Sequence, residues 1–467
     1  MLKKNDVIYL KIDDLNHLGF GVGHHEGLAI FVNNTVMGDE CEVKLIKVNK
    51  TYAVAIMLSL IKPSEHRVPK RCSLPCRACA YRHISYEAEC ELKKKSVVMA
   101  FRKAGLPDVS IGTLIPSPEV SHYRNKAQYP VQQTSFGLEI GFYAPKSHTV
   151  YDATSCELAP IRFFKVLKII RSFLVNFSIP IYDEETQKGL VRHIYLRRGE
   201  VSRELLVCLV LTENRLPHEE DFIKYILESF PETVGILINV NPDNTNVILG
   251  DTFRTLWGRD YIVDTLAGVE LEITAPSFYQ VNHDATELLY AKAREIANLQ
   301  GNELLLDLYS GAGSIGLSMA DGVREVIGIE IVPSAVECAK RNAERNHIQN
   351  ASFYTADASN TEEILANAEA ERGEAIRPDI VVLDPPRKGS TEKLLSFIAN
   401  RLTPSRIVYI SCNPETLARD CAFLKPLGYE IGEVTPVDLF PMAGHVESVV
   451  CLKRRLDNEL QPCGCVN

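Results

Sequence analysis

Four carboxylates and one thiol end or follow predicted β-strands in the C-terminal part of the sequence. The carboxylates are Asp307, Glu330, Asp357 and Asp384, and the thiol is Cys412. In an open α/β sheet, ligands bind beyond the carboxyl ends of the strands, so these side chains are expected at one edge. Carboxylates there attract a cation and repel a pyrophosphate. The pattern therefore favours a cationic ligand, such as a sulfonium, over a dinucleotide.

The segment "DLYSGAGSIG" contains the spacing Gly311-x-Gly313-x-x-Gly316 between a predicted strand and a predicted helix. Glycines there let the backbone approach a ligand, and Glu330, at the end of the next strand, can accept both hydroxyls of a ribose. An ordinary glycine-rich turn is the alternative interpretation. Together with the carboxylates, the motif predicts S-adenosylmethionine rather than NAD.

Cys412 follows "RIVYIS", beside Asn and Pro, where a nucleophile would face the same crevice. Carbon 5 of uracil is a weak nucleophile, but a thiolate that adds to carbon 6 creates an enolate that can take a methyl group at carbon 5. A base must then remove the carbon 5 proton. His445 and Glu447 precede the last predicted strand. If that strand is antiparallel to the others, Glu447 lies near Cys412.

Apolar strands alternate with helical segments from about residue 270 onward. This alternation predicts an α/β domain at 269–467 with a doubly wound, mostly parallel sheet whose last strand is antiparallel. Residues 1–62 alternate polar and apolar types between turns, which predicts a small OB-like β-barrel of four or five strands. The region 63–268 is predicted to be a central α+β domain, with strands near 203–211 and 233–240 and a helix at 161–177.

The composition of the 467 residues, 46% hydrophobic and 24% charged, is that of a globular protein with two to four domains. No apolar run approaches the length of a membrane span, and the start does not resemble a signal peptide. A cytoplasmic location is expected, where thiols stay reduced. The net charge is −9, yet residues 61–105 carry eleven Lys or Arg against four Asp or Glu. Such a local positive field suits a phosphate backbone, although a solvated helix face would also explain it.

The stretch "RCSLPCRACA" places Cys72, Cys76 and Cys79 within ten residues. Radical S-adenosylmethionine enzymes use this spacing, but they tend to have an aromatic residue where Ala78 stands, and their RNA-binding barrel comes last. Four-thiolate zinc needs a second nearby pair of cysteines, whereas only Cys90 follows. A 4Fe–4S cluster takes four thiolates, and a disulfide is disfavoured in a reducing compartment.

Five ordered motifs, "FYQVN", "DLYSGAGSIGL", "VVLDPPRKG", "YISCNPETLARD" and "HVESV", resemble those of the RNA 5-methyluridine methyltransferases. The resemblance runs over nearly the whole chain, and the N-terminal segment resembles a TRAM domain, an RNA-binding barrel. It implies that Cys412 is the nucleophile and Glu447 the base that removes the proton. The implied contacts to S-adenosylmethionine are Gln280, Tyr309, Ser314, Glu330, Asp357 and Asp384.

The same resemblance bears on the cysteines. Many members of the family hold a 4Fe–4S cluster with three clustered cysteines and one much later. The segment "HTVYDATSCELAP" resembles the one that carries the fourth ligand. The implied ligands are Cys72, Cys76, Cys79 and Cys156.

The resemblance implies a monomer that acts on RNA, with no membrane partner. The TRAM-like barrel and the cluster favour 23S ribosomal RNA, because bacterial members specific for transfer RNA tend to lack both. Three alternatives are a transfer RNA methyltransferase, a radical RNA-modifying enzyme, and an RNA-binding protein with an inactive methyltransferase domain. The presence of Cys412, Asp384 and Glu447 argues against the last.

Overall fold

The computed structural model describes residues 2–455 apart from 71, 73, 77, 155, 359–364, 367–368, 370–372 and 374. The cysteines of the C-terminal tail, Cys463 and Cys465, lie outside these residues. Three sheets of six, seven and eight strands follow one another along the chain, with a two-stranded hairpin between the second and the third. No helix in the described part of the chain has the length and apolar character needed to cross a membrane.

The first sheet is a curled barrel with strand order β1-β5-β6-β4-β3-β2. Its strands are β1 (Val7–Lys11), β2 (Asp14–Leu15), β3 (Phe20–His25), β4 (Leu28–Asn33), β5 (Glu40–Val48) and β6 (Tyr52–Lys62). β1 packs closely on β3, since a Cβ at Gly23 would stand 2.4 Å from the Lys11 carbonyl oxygen. The sequence predicted four or five strands. The additional strand is β2, whose two residues are too few to produce an alternating pattern.

The second sheet has the order β13-β12-β11-β10-β7-β8-β9. Its strands are β7 (Lys126–Thr134), β8 (Gly137–Tyr143), β9 (Val150–Asp152), β10 (Val191–Arg198), β11 (Leu205–Leu211), β12 (Thr233–Val240) and β13 (Thr252–Gly258). The helices α2 (Ile161–Asn176) and α3 (Glu219–Ser229) pack together through Phe173 and Phe222, whose ring centroids are 4.9 Å apart. The predicted strands and helix of this region are all present.

Helix α1 (Tyr86–Lys103) follows the cysteine-rich segment. Ser85 caps it by accepting a hydrogen bond from the Ala88 N–H at 3.3 Å, and acidic residues in its first turn complement the helix dipole. Its apolar face, with Val97 and Phe101, belongs to the hydrophobic core of the third sheet. The helix therefore packs on the C-terminal domain rather than on the central sheet.

The hairpin consists of β14 (Tyr261–Leu266) and β15 (Val269–Thr274). The boundary predicted between residues 268 and 269 falls in its turn. Leu271 and Ile273 lie in a core shared by the second and third sheets, and Glu272 of β15 pairs with Arg341 and Arg345 of the C-terminal domain. We therefore propose that the C-terminal domain begins before Tyr261.

The third sheet has the order β18-β17-β16-β19-β20-β23-β21, and β22 pairs with β23. Its strands are β16 (Leu304–Leu308), β17 (Glu325–Glu330), β18 (Ala351–Thr355), β19 (Ile380–Leu383), β20 (Arg406–Ser411), β21 (Tyr429–Ile431), β22 (Thr435–Val437) and β23 (Glu447–Arg454). Its helices are α4 (His283–Ala297), α5 (Ser314–Met319), α6 (Pro333–Arg345), α7 (Glu392–Phe397) and α8 (Pro414–Leu424).

The first five strands of this sheet are parallel and β23 runs antiparallel to β20. Successive side chains enter opposite cores, since Leu305 lies in one and Leu306 in the other. Helices thus cover both faces. The predicted doubly wound sheet with an antiparallel last strand is confirmed.

Candidate active site

The turn after β16 forms the floor of a crevice at the carboxyl edge of the third sheet. Tyr309 and Gly311 both have positive φ, 68° and 55°. The turn leads into α5, which begins at Ser314. A Cβ at Gly311 would meet no described atom within 4 Å. Open space therefore lies in front of the turn, where the backbone can approach a ligand.

Two acidic residues hold this turn. Glu330 accepts hydrogen bonds from the Gly311 N–H at 3.0 Å and the Val332 N–H at 2.9 Å. Asp307 Oδ2 accepts the Gly316 N–H at 3.0 Å, whereas its buried Oδ1 has no hydrogen-bond partner among the described groups. Burial raises the pKa of Asp307 to about 7, although the bond from Gly316 opposes the rise. An unpartnered carboxylate oxygen in an acidic crevice fits a cationic ligand.

Cys412 and Glu447 meet because β20 ends where the antiparallel β23 begins. Burial, Glu447 and Asp384 raise the pKa of the Cys412 thiol to about 11. Burial and Asp384 raise the pKa of Glu447 to about 8, and burial alone raises that of Asp384 to about 7. Arg387 lowers the pKa of both Cys412 and Glu447. A further positive charge in the crevice would therefore favour the ionised forms that nucleophilic attack and proton removal need.

Cys412 opens onto a cleft of about 630 Å³ between the barrel, α1 and the sheet edge. His17 from the barrel and His445 line it, and Arg387 Nη2 lies 3.4 Å from His445 Nε2. His445 is exposed in the cleft, whereas Glu447 is only 3% exposed. Of the two bases that the sequence offered, Glu447 is the one whose charge acts on the Cys412 thiol.

A buried ionic cluster positions the loop that leads to Glu447. Lys93 Nζ donates to Glu89 Oε1 at 2.5 Å, to Asp438 Oδ1 at 2.7 Å and to the Phe440 carbonyl at 2.9 Å. Glu89 Oε1 also accepts the Met442 N–H at 2.8 Å. Both ends of the Lys93–Asp438 pair are at most 1% exposed. Helix α1 thereby fixes residues 438–442, which the sequence analysis did not predict.

The remaining predicted cofactor residues lie on three segments. Ser314 Oγ is 2.9 Å from the hydroxyl of Tyr290, a buried residue of α4. Asp357 is exposed just beyond β18, and its charge reaches Tyr309. Gln280 lies outside the strands of the third sheet. It is buried in the segment before α4, where its carbonyl accepts a hydrogen bond from Asn125 at 2.7 Å.

Two residues of the crevice were not assigned from the sequence. Arg387 lies within "VVLDPPRKG", so its motif was visible but its effect on Cys412 and Glu447 was not. Tyr290 has no sequence signal, because one tyrosine on an amphipathic helix looks like a core residue.

The four cysteines implied as cluster ligands surround one pocket of about 230 Å³. Cys72 and Cys156 are buried, and Cys76 and Cys79 are half-buried. Burial and the charges of the other three thiols raise the pKa of Cys79 to about 12. Cys156, which is 77 residues after Cys79 in the chain, thus lies beside Cys72, Cys76 and Cys79. The spacing of the cysteines alone did not predict this.

Three cations, Arg82, Arg124 and Lys126, also line this pocket. The buried Arg124 Nε has no hydrogen-bond partner among the described groups. Within the described ranges, no three or more His, Cys, Asp or Glu side chains are arranged to hold a metal ion. The described lining of the pocket thus combines four thiols with three cations and contains no acidic residue.

Two family models match the chain. A tRNA (uracil-5-)-methyltransferase model matches residues 250–455, and a TRAM domain model matches residues 2–58. The first contains the Cys412 crevice and the second covers most of the barrel.

Relatives match over almost the full length. An uncharacterized RNA methyltransferase from Halalkalibacterium halodurans is 40% identical over 97% of this chain and 98% of its own. Another, from Listeria monocytogenes, is 39% identical over 97% of this chain and 98% of its own. The solved structure of Pyrococcus abyssi tRNA (uracil-54, C5)-methyltransferase, in complex with S-adenosyl-L-homocysteine, is 29% identical. It covers 95% of this chain and 99% of its own, with a TM-score of 0.75.

Proposed function

Because this chain belongs to the RNA uracil-5-methyltransferases, which use S-adenosylmethionine, we propose that its target is a uridine of 23S ribosomal RNA and that Cys412 and Glu447 carry out the reaction. The observation that carries the mechanism is the meeting of these two side chains at the edge of the third sheet. The leading barrel and the four-thiol pocket support the ribosomal substrate by analogy with family members that have both.

In the first step, the Cys412 thiolate adds to carbon 6 of the uracil ring. The new S–C bond pushes electrons onto the ring, so that carbon 5 becomes nucleophilic. S-adenosylmethionine, when bound, would supply the methyl group to carbon 5 and leave as S-adenosylhomocysteine. Arg387 stabilises the thiolate, since it lowers the pKa of Cys412.

In the second step, Glu447 takes the proton from carbon 5. The C–H electrons restore the double bond between carbons 5 and 6, and the S–C bond breaks to release Cys412. Burial and the neighbouring Asp384 raise the pKa of Glu447 to about 8, so the carboxyl must be ionised before it can take the proton, and Arg387 favours that ionised form. The 630 Å³ cleft gives the target base access to Cys412.

Transfer RNA is the second candidate substrate. The solved structure that covers 95% of this chain is described as a tRNA (uracil-54, C5)-methyltransferase. That match includes the barrel, so the barrel alone does not decide between the two RNAs. The radical mechanism has no support, since the third sheet is doubly wound rather than a barrel of repeated βα units.

We expect purified protein to transfer labelled methyl groups from S-adenosylmethionine to 23S ribosomal RNA taken from cells that lack this protein. Digestion of the RNA should place the label on carbon 5 of uridine at a defined position. Small-subunit ribosomal RNA is the control. Label in transfer RNA alone would replace the ribosomal proposal by the second candidate, and label in neither would contradict both.

We also propose that Cys72, Cys76, Cys79 and Cys156 hold a 4Fe–4S cluster. In such a cluster each thiolate binds a different iron, so the four sulfurs need not converge on one metal ion. The facing cations would balance the negative charge of the cluster, and Arg124 Nε could donate to it. The four protein ligands leave no iron open, so the group would be structural rather than part of methyl transfer.

Anaerobically purified protein is expected to be brown and to contain about four irons, as a four-thiolate cubane requires. Cys156→Ser should lose the visible absorbance and most of the iron, because one ligand is removed. Cys90→Ser, a half-buried thiol of α1 outside the pocket, should keep both. Full colour in Cys156→Ser would contradict the assignment.

A further inference from the structure

A separate cavity of about 360 Å³ lies where the barrel meets the cysteine-rich segment. The barrel contributes the turn before β3 and the end of β4. Its lining includes Leu18, Asn34, Lys70, Cys79, Arg82 and His83. Cys79 and Arg82 also line the four-thiol pocket, so the two cavities share a wall.

The described residues give the cations of this cavity no acidic partner. Lys70 Nζ donates to Asn34 Oδ1 at 2.6 Å, and Arg82 Nη1 donates to the Leu74 carbonyl at 2.5 Å. Both acceptors are neutral. Among the described residues that line the cavity, none is acidic. The nearby Arg67 is different, because its guanidinium pairs with the buried Asp39.

One titratable group, His83, is sensitive to the uncompensated charge. Burial and the cations Arg67, Lys70 and Arg82 lower the pKa of His83, although its bond to the Thr35 carbonyl acts in the opposite direction. The cavity therefore has a positive potential that an anion would relieve.

One turn of the barrel separates this cavity from the catalytic cleft. His17 lines the cleft beside Cys412, and Leu18, the next residue, lines the cavity. An RNA chain with its target base at Cys412 can therefore place a nearby phosphate against Lys70 and Arg82.

We propose that this cavity binds a backbone phosphate of the substrate RNA through Lys70 and Arg82. The inference rests on the proposed function only in that the ligand is RNA. A phosphate oxygen accepts hydrogen bonds from both cations, and Asn34 keeps Lys70 directed into the cavity. The contact fixes the position of the RNA on the barrel and carries no base specificity.

The test is the salt dependence of RNA binding by the whole protein, measured without S-adenosylmethionine. The probe is a single-stranded, uridine-containing RNA of about 30 nucleotides, longer than the sites of about 4–16 nucleotides of one OB fold. The logarithm of the RNA association constant falls linearly with the logarithm of the salt concentration. Loss of one phosphate contact makes this slope less steep, reducing its magnitude by about 0.7 for a single strand. Lys70→Ala should show this decrease, and the double variant with Arg82→Ala should show a larger one. Lys70→Arg should keep the wild-type slope.

Lys50→Ala is the matched control, since Lys50 is an exposed lysine of the same barrel and the loss of its charge should not change the slope. An unchanged slope in Lys70→Ala would overturn the proposal. If inorganic phosphate binds to wild-type protein but not to Lys70→Ala, while the RNA slope is unchanged, the cavity takes a free anion and the proposal is wrong. Because no methyl transfer is involved, failure of the catalytic proposal leaves this result interpretable.

Discussion

Cys412→Ala is expected to reduce methyl transfer to RNA by roughly 10⁴-fold or more, the scale on which removal of a covalent nucleophile acts. Without the sulfur, no bond forms at carbon 6 and carbon 5 stays unreactive. Cys412 lies beyond the end of β20 at the edge of an open cleft, so its truncation leaves the sheet pairing intact. Initial rates with labelled S-adenosylmethionine measure the effect.

The matched control is Cys90→Ala, which removes a half-buried thiol of α1 that packs on a hydrophobic core of the third sheet. Its rate should stay close to that of the wild type. Thermal unfolding of both variants separates a loss of chemistry from a loss of fold. A Cys412→Ala protein that is folded and retains turnover would exclude Cys412 as the nucleophile.

Glu447→Gln is expected to stop the reaction after methyl transfer and to accumulate a covalent protein–RNA complex. Glutamine keeps the size of the side chain but cannot take the carbon 5 proton, so Cys412 is not released. Loss of a general base lowers turnover by about 10²–10⁴-fold. Denaturing gel electrophoresis of protein mixed with RNA and S-adenosylmethionine should show a slowly migrating band that the wild type lacks at steady state.

Glu430→Gln on β21 tests whether any carboxylate near β23 has this effect. Glu430 is exposed, and its variant should turn over normally without a trapped complex. A Glu447→Gln protein with normal turnover would remove Glu447 from the role of base. A variant with neither turnover nor a complex would instead place Glu447 before the covalent step.

The C-terminal fold was predictable because its signals are local. Each buried parallel strand is a short apolar run; Glu330 ends one of them, and Asp384 and Cys412 follow two others. The position of Glu447 followed from one further assumption, the antiparallel last strand, which the pairing of β20 with β23 bears out. The barrel was predictable as a class, but the two-residue strand β2 left no periodic signal.

The domain boundaries were harder to predict because they depend on packing. The β14–β15 hairpin alternates like its neighbours, and only folded contacts such as the pairs of Glu272 with Arg341 and Arg345 connect it to the C-terminal domain. Helix α1 lies next to the cysteine triplet in sequence but packs on the third sheet. A charged run such as "KKK" does not reveal that Lys93 is buried.

Some residues of the site follow from the sequence pattern itself, and others do not. Strand ends place Asp384 and Cys412 without any knowledge of the family. The proposed roles of Gln280 and Cys156 rest only on the resemblance, since both residues are distant in sequence from the other residues proposed for their sites. Arg387 lowers the pKa of both Cys412 and Glu447 only because the folded crevice brings the three together, so this effect could not be predicted from spacing.

The most direct test of the central claim uses RNA in which 5-fluorouridine replaces uridine. Fluorine at carbon 5 cannot leave as a proton, so the wild-type protein should stay bound to the methylated base. Incubation with S-adenosylmethionine is expected to give a denaturation-resistant protein–RNA adduct, and mass spectrometry of its peptides should place the nucleotide on Cys412. The absence of an adduct, or an adduct on another residue, would contradict the proposed mechanism.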